Sequence, residues 1–341
     1  MIVVWRVTER CNLACPFCAY DRRLSLSRAV ADPDAVAAFG AVLAEYQRLA
    51  GDGVLVSWLG GEPLLWPPLR VLTERFVSMG LRVSTTTNGT PLASAPLRAH
   101  LIDCYDELTV SVDAIGAAHD GLRGWAGGFD RLRRHVAALV DERRVNGHGP
   151  RLRANVVLMR GTLGGFEALC GELADWGIEE ITFNQLGGND RPEFFAANRL
   201  LPEQAAWLCG NVPRIRDGLA ERGVRLAGGD GYLRRIQATT RGERIPVEEC
   251  APGRRFLFVD ERGMAAPCSF TPADYGVPLA EVDSAGALRD LPRRFSDARR
   301  RCRASACDDC HATHVFEKFD AVRPAELVVI ARASVAAVTA G

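Results

Sequence analysis

The sequence predicts an α/β fold: a curved, partly open (β/α)6 barrel, followed by a smaller unit of different composition. Short apolar runs rich in β-branched residues alternate with amphipathic stretches through the first two-thirds of the 341 residues, the pattern of parallel strands joined by crossover helices. Six such repeats can be counted, too few to close an eight-fold barrel. Beyond about residue 225 glycine, proline and arginine become frequent and most of the remaining cysteines gather.

The elements follow in order. Residues 2–8 (IVVWRVT) form a strand that runs directly into a cysteine-bearing loop. Residues 32–50 open on Asp-Pro and carry helical periodicity. Residues 53–63 (GVLVSWLGGEP) are a strand ending in a glycine turn, and 67–79 a helix. Residues 81–90 (LRVSTTTNGT) end in Asn-Gly, and 107–113 (ELTVSVD) in Ser-Val-Asp. A long amphipathic helix covers 128–144, a fifth strand 151–159, a helix 164–176 and a sixth strand 178–188. A helix at 202–223 leads to the boundary near 225. The unusual residues of five strands fall at or just after their C-terminal ends, the rim where parallel α/β folds bind ligands.

Composition excludes several classes. The chain is 48% hydrophobic and 25% charged, as expected of a protein with a substantial core, and its 42 basic and 42 acidic residues cancel. That balance gives no general attraction to nucleic acid or membrane surfaces. No secretory signal and no apolar run of about 20 residues is present, so a cytoplasmic protein is expected. The apolar tail, 325–341, is interrupted by Arg332 and reads as a packed terminal helix or strand, the last part of a segment 321–341 expected to lie on the barrel. The basic residues are arginines with one exception, Lys318, which reads as codon bias.

Eleven cysteines are too many for packing alone and, in a cytoplasmic protein, are not expected to form disulfides. Cys104, Cys170 and Cys209 sit in apolar or helical contexts and read as core or surface thiols. The other eight form two groups that look like metal sites. Cys11, Cys15 and Cys18 are spaced C-x3-C-x2-C, with no histidine or fourth cysteine nearby. Structural zinc takes four protein ligands, and catalytic zinc sites of three usually include histidine. Three thiolates suit a [4Fe–4S] cluster with one iron left open, since such clusters are held by cysteines at short spacings.

C-x3-C-x2-C after the first strand, with Phe17 before its last cysteine and Gly60-Gly61-Glu62-Pro63 after the second strand, resembles the radical S-adenosylmethionine enzymes over roughly residues 2–190. The resemblance implies a partial (β/α)6 TIM-like barrel whose open iron chelates S-adenosyl-L-methionine. Reduction then cleaves the sulfonium and yields a 5′-deoxyadenosyl radical that abstracts hydrogen from a C–H bond. It also implies that the Gly60–Pro63 turn meets the cofactor's amino group through backbone carbonyl and carboxylate, glycine permitting the close approach. Ser111 and Arg123 match residues that contact the cofactor's ribose and carboxylate. Asn88, Asp113 and Asn155 are further candidates, for which capping or turn formation is an equal reading. His119 reads as a surface or capping histidine. A flavodoxin- or ferredoxin-type electron donor is the implied partner.

The second group begins with Cys250, followed by a predicted hairpin, "RRFLFVD", "ERG" and a return strand carrying Cys268. Cys302, Cys307 and Cys310 come later. The C-x12-G-x4-C element with a late C-x2-C resembles the Twitch domain, the shortened SPASM domain. That implies domains at 1–225 (radical barrel) and 226–320 (a small β-hairpin plus helix unit binding one auxiliary [4Fe–4S] cluster through Cys250, Cys268, Cys307 and Cys310). A zinc ribbon is the alternative for these four. Cys302 departs from the pattern and is a spare thiol, a substitute ligand or a reactive thiol facing substrate. The arginine-rich run 293–303 is either a solvated helix face or a counter-charge to the cluster or an acidic substrate.

A fully ligated auxiliary cluster suits an electron conduit, so net oxidation or crosslinking at a C–H position is expected, with a base to take the proton. Asp190, Glu193, Asp230 and Tyr232 are candidates by position. A ribosomally made peptide is the first substrate class and a sugar or aminocyclitol alcohol the second. No peptide-recognition domain precedes the first strand, so a separate recognition protein is expected for the peptide reading. A non-catalytic iron–sulfur or zinc protein has no need of the strand-end motifs, and an ordinary methyltransferase has no need of a cluster.

Overall fold

Six strands follow one another in space as they do in sequence. β1 (Ile2–Thr8), β2 (Leu55–Gly60), β3 (Arg82–Thr87), β4 (Glu107–Ser111), β5 (Arg151–Leu158) and β6 (Glu180–Gln185) are parallel neighbours. The computed structural model describes residues 1–188, 190–316 and 318. The expected tail, 321–341, lies outside the described residues.

The sheet extends past the six predicted strands on both sides. After β6 comes β7 (Arg225–Leu226), too short to leave a periodic signal. On the other side β1 pairs in parallel with β8 (Phe256–Val259), which continues antiparallel into β9 (Met264–Ala266) and then β10 (Val277–Pro278). The order is β10-β9-β8-β1-β2-β3-β4-β5-β6-β7, a linear series and so an open barrel. The hairpin therefore belongs to the barrel's own sheet. Val3↔Leu257 and Trp5↔Val259 fix its register, and its apolar FLFV run covers an edge that would otherwise present unpaired backbone groups.

Alternation along the strands sorts residues between two faces. On β1, Val3, Trp5 and Val7 are buried beneath the helix Pro33–Ala50, whose Val36, Phe39 and Leu43 recur at helical spacing. Asp32 caps that helix by accepting from the Asp34 N–H at 3.0 Å. Trp5 meets Phe39 edge-on at 5.5 Å, and Trp58 packs on Phe76 at 5.1 Å. β5 alternates strictly: Leu152, Ala154, Val156 and Leu158 are buried outward, and Arg151, Arg153 and Asn155 face the barrel interior. Near the N-terminal ends of the strands that interior is ionic. Arg153 bridges Glu107 (2.8 Å) and Glu180 (2.5 Å), while Arg151 and Arg225 also reach Glu180. Among the described residues no helix is long and apolar enough to cross a membrane.

Candidate active site

The loop after β1 holds Cys11, Cys15 and Cys18, of which Cys15 is buried and the others half-buried. Local hydrogen bonds wind it tightly, Cys18 N–H donating to Cys15 O at 3.1 Å. Arg23 clasps Asp21 and the Ala14 carbonyl, at 2.7 and 3.0 Å, and Asp21 also pairs with Arg191. The sulfurs face donors. Leu13 N–H and Asn88 Nδ2 lie 3.5 and 3.7 Å from Cys11 Sγ, and Tyr20 N–H lies 3.4 Å from Cys18 Sγ. Burial pushes the Cys15 thiol up to about 12, and Cys11 and Cys18 upward too. Donors of this kind are what thiolates bound to a cluster require.

The Gly60–Pro63 turn runs alongside this loop. Gly61 N–H donates to Thr8 O at 2.8 Å and Glu62 N–H to Arg10 O at 2.9 Å. A Cβ at Gly60 would stand 2.2 Å from Thr8 O, where φ is +155°, and one at Gly61 would stand 2.2 Å from Arg10 O. Only glycine fits. Pro63 opens a short turn, Pro63–Leu65. The Glu62 carboxylate is turned inward, fully buried, accepting from Thr87 Oγ1 (2.9 Å), Asn88 N–H (2.7 Å) and Leu64 N–H (3.2 Å). Burial raises its pKa to about 7. It joins the end of β2 to the end of β3, a contact the motif alone does not reveal.

Asn88 extends that junction. Its Nδ2 donates to Asn12 Oδ1 at 2.9 Å, and its Oδ1 accepts from Thr90. It thus serves as a turn former and as a neighbour of Cys11.

Beyond β4, Asp113 and Arg123 form a buried ion pair at 2.6 Å. Asp113 Oδ1 also accepts from Val157 N–H at 2.9 Å. Burial raises the pKa of Asp113; burial also opposes the charge on Arg123, but Asp113 and the nearby thiols hold it protonated. The Arg123 guanidinium lies over Phe17 at 5.5 Å, and its main-chain oxygen faces Cys15 Sγ at 3.9 Å. His119 is neither on the surface nor charged. It is buried, its Nδ1 accepts from Asp113 N–H at 3.3 Å, and burial drives its pKa down to about 3.

Deeper in the barrel, Ser111 stands beside Asn155 in the β4–β5 register. Asn155 Oδ1 accepts from Thr182 Oγ1 (3.0 Å) and Asn184 Nδ2 (2.9 Å), and Tyr232 OH reaches Asn184 Oδ1 at 3.4 Å. Asn184 and Lys318, which donates to it, are parts of this network that motif reading passed over. The sole-lysine count was the signal available.

Cys250, Cys268, Cys307 and Cys310 line one pocket with Phe270 and Tyr275. Arg299 Nη1 lies 3.7 Å from Cys250 Sγ, Thr271 Oγ1 3.3 Å from Cys268 Sγ, and Tyr275 OH 3.8 Å from Cys307 Sγ. Burial raises Cys250, Cys268 and Cys310, the last to about 11. Cys310 N–H donates to Ile245 O at 3.0 Å, and Arg235, wholly buried, pairs with Asp309. Among the described residues, no three His, Cys, Asp or Glu side chains draw together as ligands of a single ion would.

The arginine run divides in two. Arg293, Arg294 and Arg300 make exposed ion pairs, whereas Arg299 and Arg303 tie down the cysteine segments. Cys302 is exposed at the end of the helix Ala285–Arg301 and does not line the pocket. Asp230 is exposed at the start of the helix Asp230–Arg241. Asp190 is exposed within electrostatic reach of Cys18, and Glu193 is exposed and paired with Arg191. Tyr232 is buried, and burial raises its pKa further above the ordinary tyrosine value, so it keeps its proton near neutrality.

Residues 5–148 match the family model described as the radical SAM superfamily. The matched stretch, a radical SAM domain, carries Cys11, Cys15, Cys18 and the Gly60–Pro63 turn. Among particular relatives, it is similar to the pre-heme d1 synthase of Dinoroseobacter shibae, 30% identical over 132 residues, covering 38% of this chain and 31% of that one. The chain thus spans about a third of that relative's length. It is also similar to the PqqA peptide cyclase of Streptomyces rochei, 27% identical over 324 residues, covering 90% of this chain and 81% of that one. In fold it resembles Streptococcus suis SuiB bound to S-adenosylmethionine, with a TM-score of 0.65 at 17% identity, covering 93% of this chain and 72% of that one.

Proposed function

We propose that the enzyme oxidatively modifies or crosslinks a C–H position of a ribosomally made peptide, using a second [4Fe–4S] cluster as electron acceptor. The observation that carries this reading is the pair of all-thiol sites on one continuous sheet. One has three cysteines and the other four, each with donors aimed at its sulfurs. Cys11, Cys15 and Cys18 would hold the first cluster and leave one iron for S-adenosylmethionine. Together these supply hydrogen abstraction from an unactivated C–H bond. Gly60, Gly61, Ser111 and Arg123 line the same strand ends and would seat the cofactor; Glu62, Asn88 and Asp113 hold those ends in place. Cys250, Cys268, Cys307 and Cys310 line one pocket and would hold the second cluster.

The peptide reading is supported by the extent of likeness to a peptide cyclase, which covers 90% of this chain. A tetrapyrrole substrate is the second reading, from the 30% match to a pre-heme d1 synthase over 38% of the chain. A flavodoxin- or ferredoxin-type donor and a separate recognition protein complete the proposal.

Coexpression with short peptides encoded beside its gene tests it by mass spectrometry. The expected product is a peptide lighter by two hydrogen atoms, absent when Cys11 is replaced by alanine. Unchanged peptides together with turnover of a tetrapyrrole or an aminocyclitol would displace the peptide reading.

A further inference from the structure

Lys318 is the single lysine of the chain, and its position is unusual. It follows Cys310 by eight residues, in a stretch that leaves the second cysteine pocket and enters the barrel. On that path His314 stacks on Phe256 of β8, ring centroids 4.3 Å apart. Lys318 Nζ then reaches Asn184 Oδ1 on β6 at 2.8 Å and Asn155 Oδ1 on β5 at 3.5 Å. The stretch thereby links β8 to β5 and β6, at nearly opposite ends of the sheet order. Asn155 and Asn184 are themselves only partly buried, and Asn155 neighbours Ser111 at the strand ends that line the cofactor's proposed seat.

We propose that Lys318 Nζ is a base for the reaction, accepting the proton that oxidation of the substrate releases. This rests on the oxidative reading above. At the carbon that has lost its hydrogen atom, the electron pair of a neighbouring X–H bond becomes the new bond to carbon. The carbon's unpaired electron leaves to a one-electron acceptor of the iron–sulfur class. The X–H proton forms the fourth bond at Nζ.

Geometry and environment agree with this role. Of the other candidates, Asp190, Glu193 and Asp230 are exposed and Tyr232 holds its proton. Burial first, and the charge of Arg153 second, bring the Lys318 pKa down to about 7. A buried lysine tuned this way is suited to take a proton at neutral pH. Among the described residues, the ionisable groups on the elements around it include Arg151 and Arg153 on β5, Glu107 on β4, Glu180 on β6, Arg225 on β7, and Tyr232, Arg235 and His314. Glu107 and Glu180 are engaged by the β5 and β7 arginines, and Arg235 is committed to Asp309. Burial pulls His314 down to about 4, leaving it neutral where Lys318 would titrate.

A chain with one lysine permits a direct test. The full protein, with clusters reconstituted and oxidised, is labelled with lysine carrying 13C at Cε, and its one signal is followed by NMR as pH rises. K318R assigns the signal by removing it. The expected midpoint lies near 7, against about 10.4 for an ordinary lysine. In parallel, formaldehyde with a borane reductant is applied at neutral pH and the modified residue mapped by mass spectrometry. The neutral fraction of Lys318 at pH 7 would exceed that of a free lysine by on the order of a thousandfold, so dimethylation at Lys318 is expected. A midpoint at the ordinary value overturns the proposal. So does a Lys318 that formaldehyde never reaches, because a base must be open to its substrate. Iron content and 5′-deoxyadenosine formation, measured on the same sample, report separately on the radical-enzyme reading.

Discussion

Replacing Asp113 with alanine tests how the barrel holds its cysteine loop. Asp113 and Arg123 are both deeply buried, at 1% and 8% exposure, and pair at 2.6 Å. Removing one partner of a buried ion pair strands the other, a loss of about 3–5 kcal/mol. Val157 N–H loses its acceptor in the same step, worth about 1–3 kcal/mol more. The sum is a large part of the roughly 5–15 kcal/mol that keeps a typical protein folded. D113A should therefore unfold at markedly lower denaturant, followed by tryptophan fluorescence. D113A/R123A removes both charges and should fall short of the summed single effects by about 2–3 kcal/mol. Because the Arg123 carbonyl faces Cys15, D113A should also retain less iron in the first site. A D113A protein within about 1 kcal/mol of the parent, or strictly additive single variants, would refute the claim that this pair anchors the loop.

Three further outcomes follow from the same geometry. G61A places a Cβ 2.2 Å from the Arg10 carbonyl; a backbone shift costing about 1–3 kcal/mol is expected, read as lowered stability and lost iron. R235A leaves a half-exposed Asp309 without its partner beside Cys310 and should lower stability by about 1–3 kcal/mol, with iron lost from the second site before the first. Replacing Cys268 and Cys310 together with alanine should remove about four irons, one cube, while leaving cleavage of S-adenosylmethionine by reduced protein in place. Iron analysis and product chromatography check this last outcome.

The alternation of strands and helices, and the placing of motifs at strand ends, were legible because both are periodic or local. Cys11, Cys15, Cys18 and the Gly60–Gly61 pair stand close in sequence to the strands that carry them. What escaped depends on contacts between distant segments. β7 has two residues and no pattern to detect. β8 docks on β1 across some 250 positions, so a hairpin that reads as a separate unit becomes an edge of the barrel. The bonds that Glu62 accepts from Thr87 and Asn88 at the end of β3 leave no trace in the motif itself. His119 lies on a stretch polar enough to suggest the surface, yet Phe129 and the Asp113 backbone enclose it. Lys318 was visible only as a count, and its meaning depends on Asn155 and Asn184, more than 130 residues earlier.

The two proposed iron–sulfur clusters, and cleavage of S-adenosylmethionine at the first, can be measured together. Protein purified and reconstituted without oxygen should contain about eight irons with matching sulfide, two cubes of four. After dithionite reduction it should convert S-adenosylmethionine to methionine and 5′-deoxyadenosine. Replacing Cys11, Cys15 and Cys18 with alanine should abolish that conversion and leave about four irons. A fully iron-loaded protein that forms no 5′-deoxyadenosine, or a triple variant that still forms it, would contradict the account.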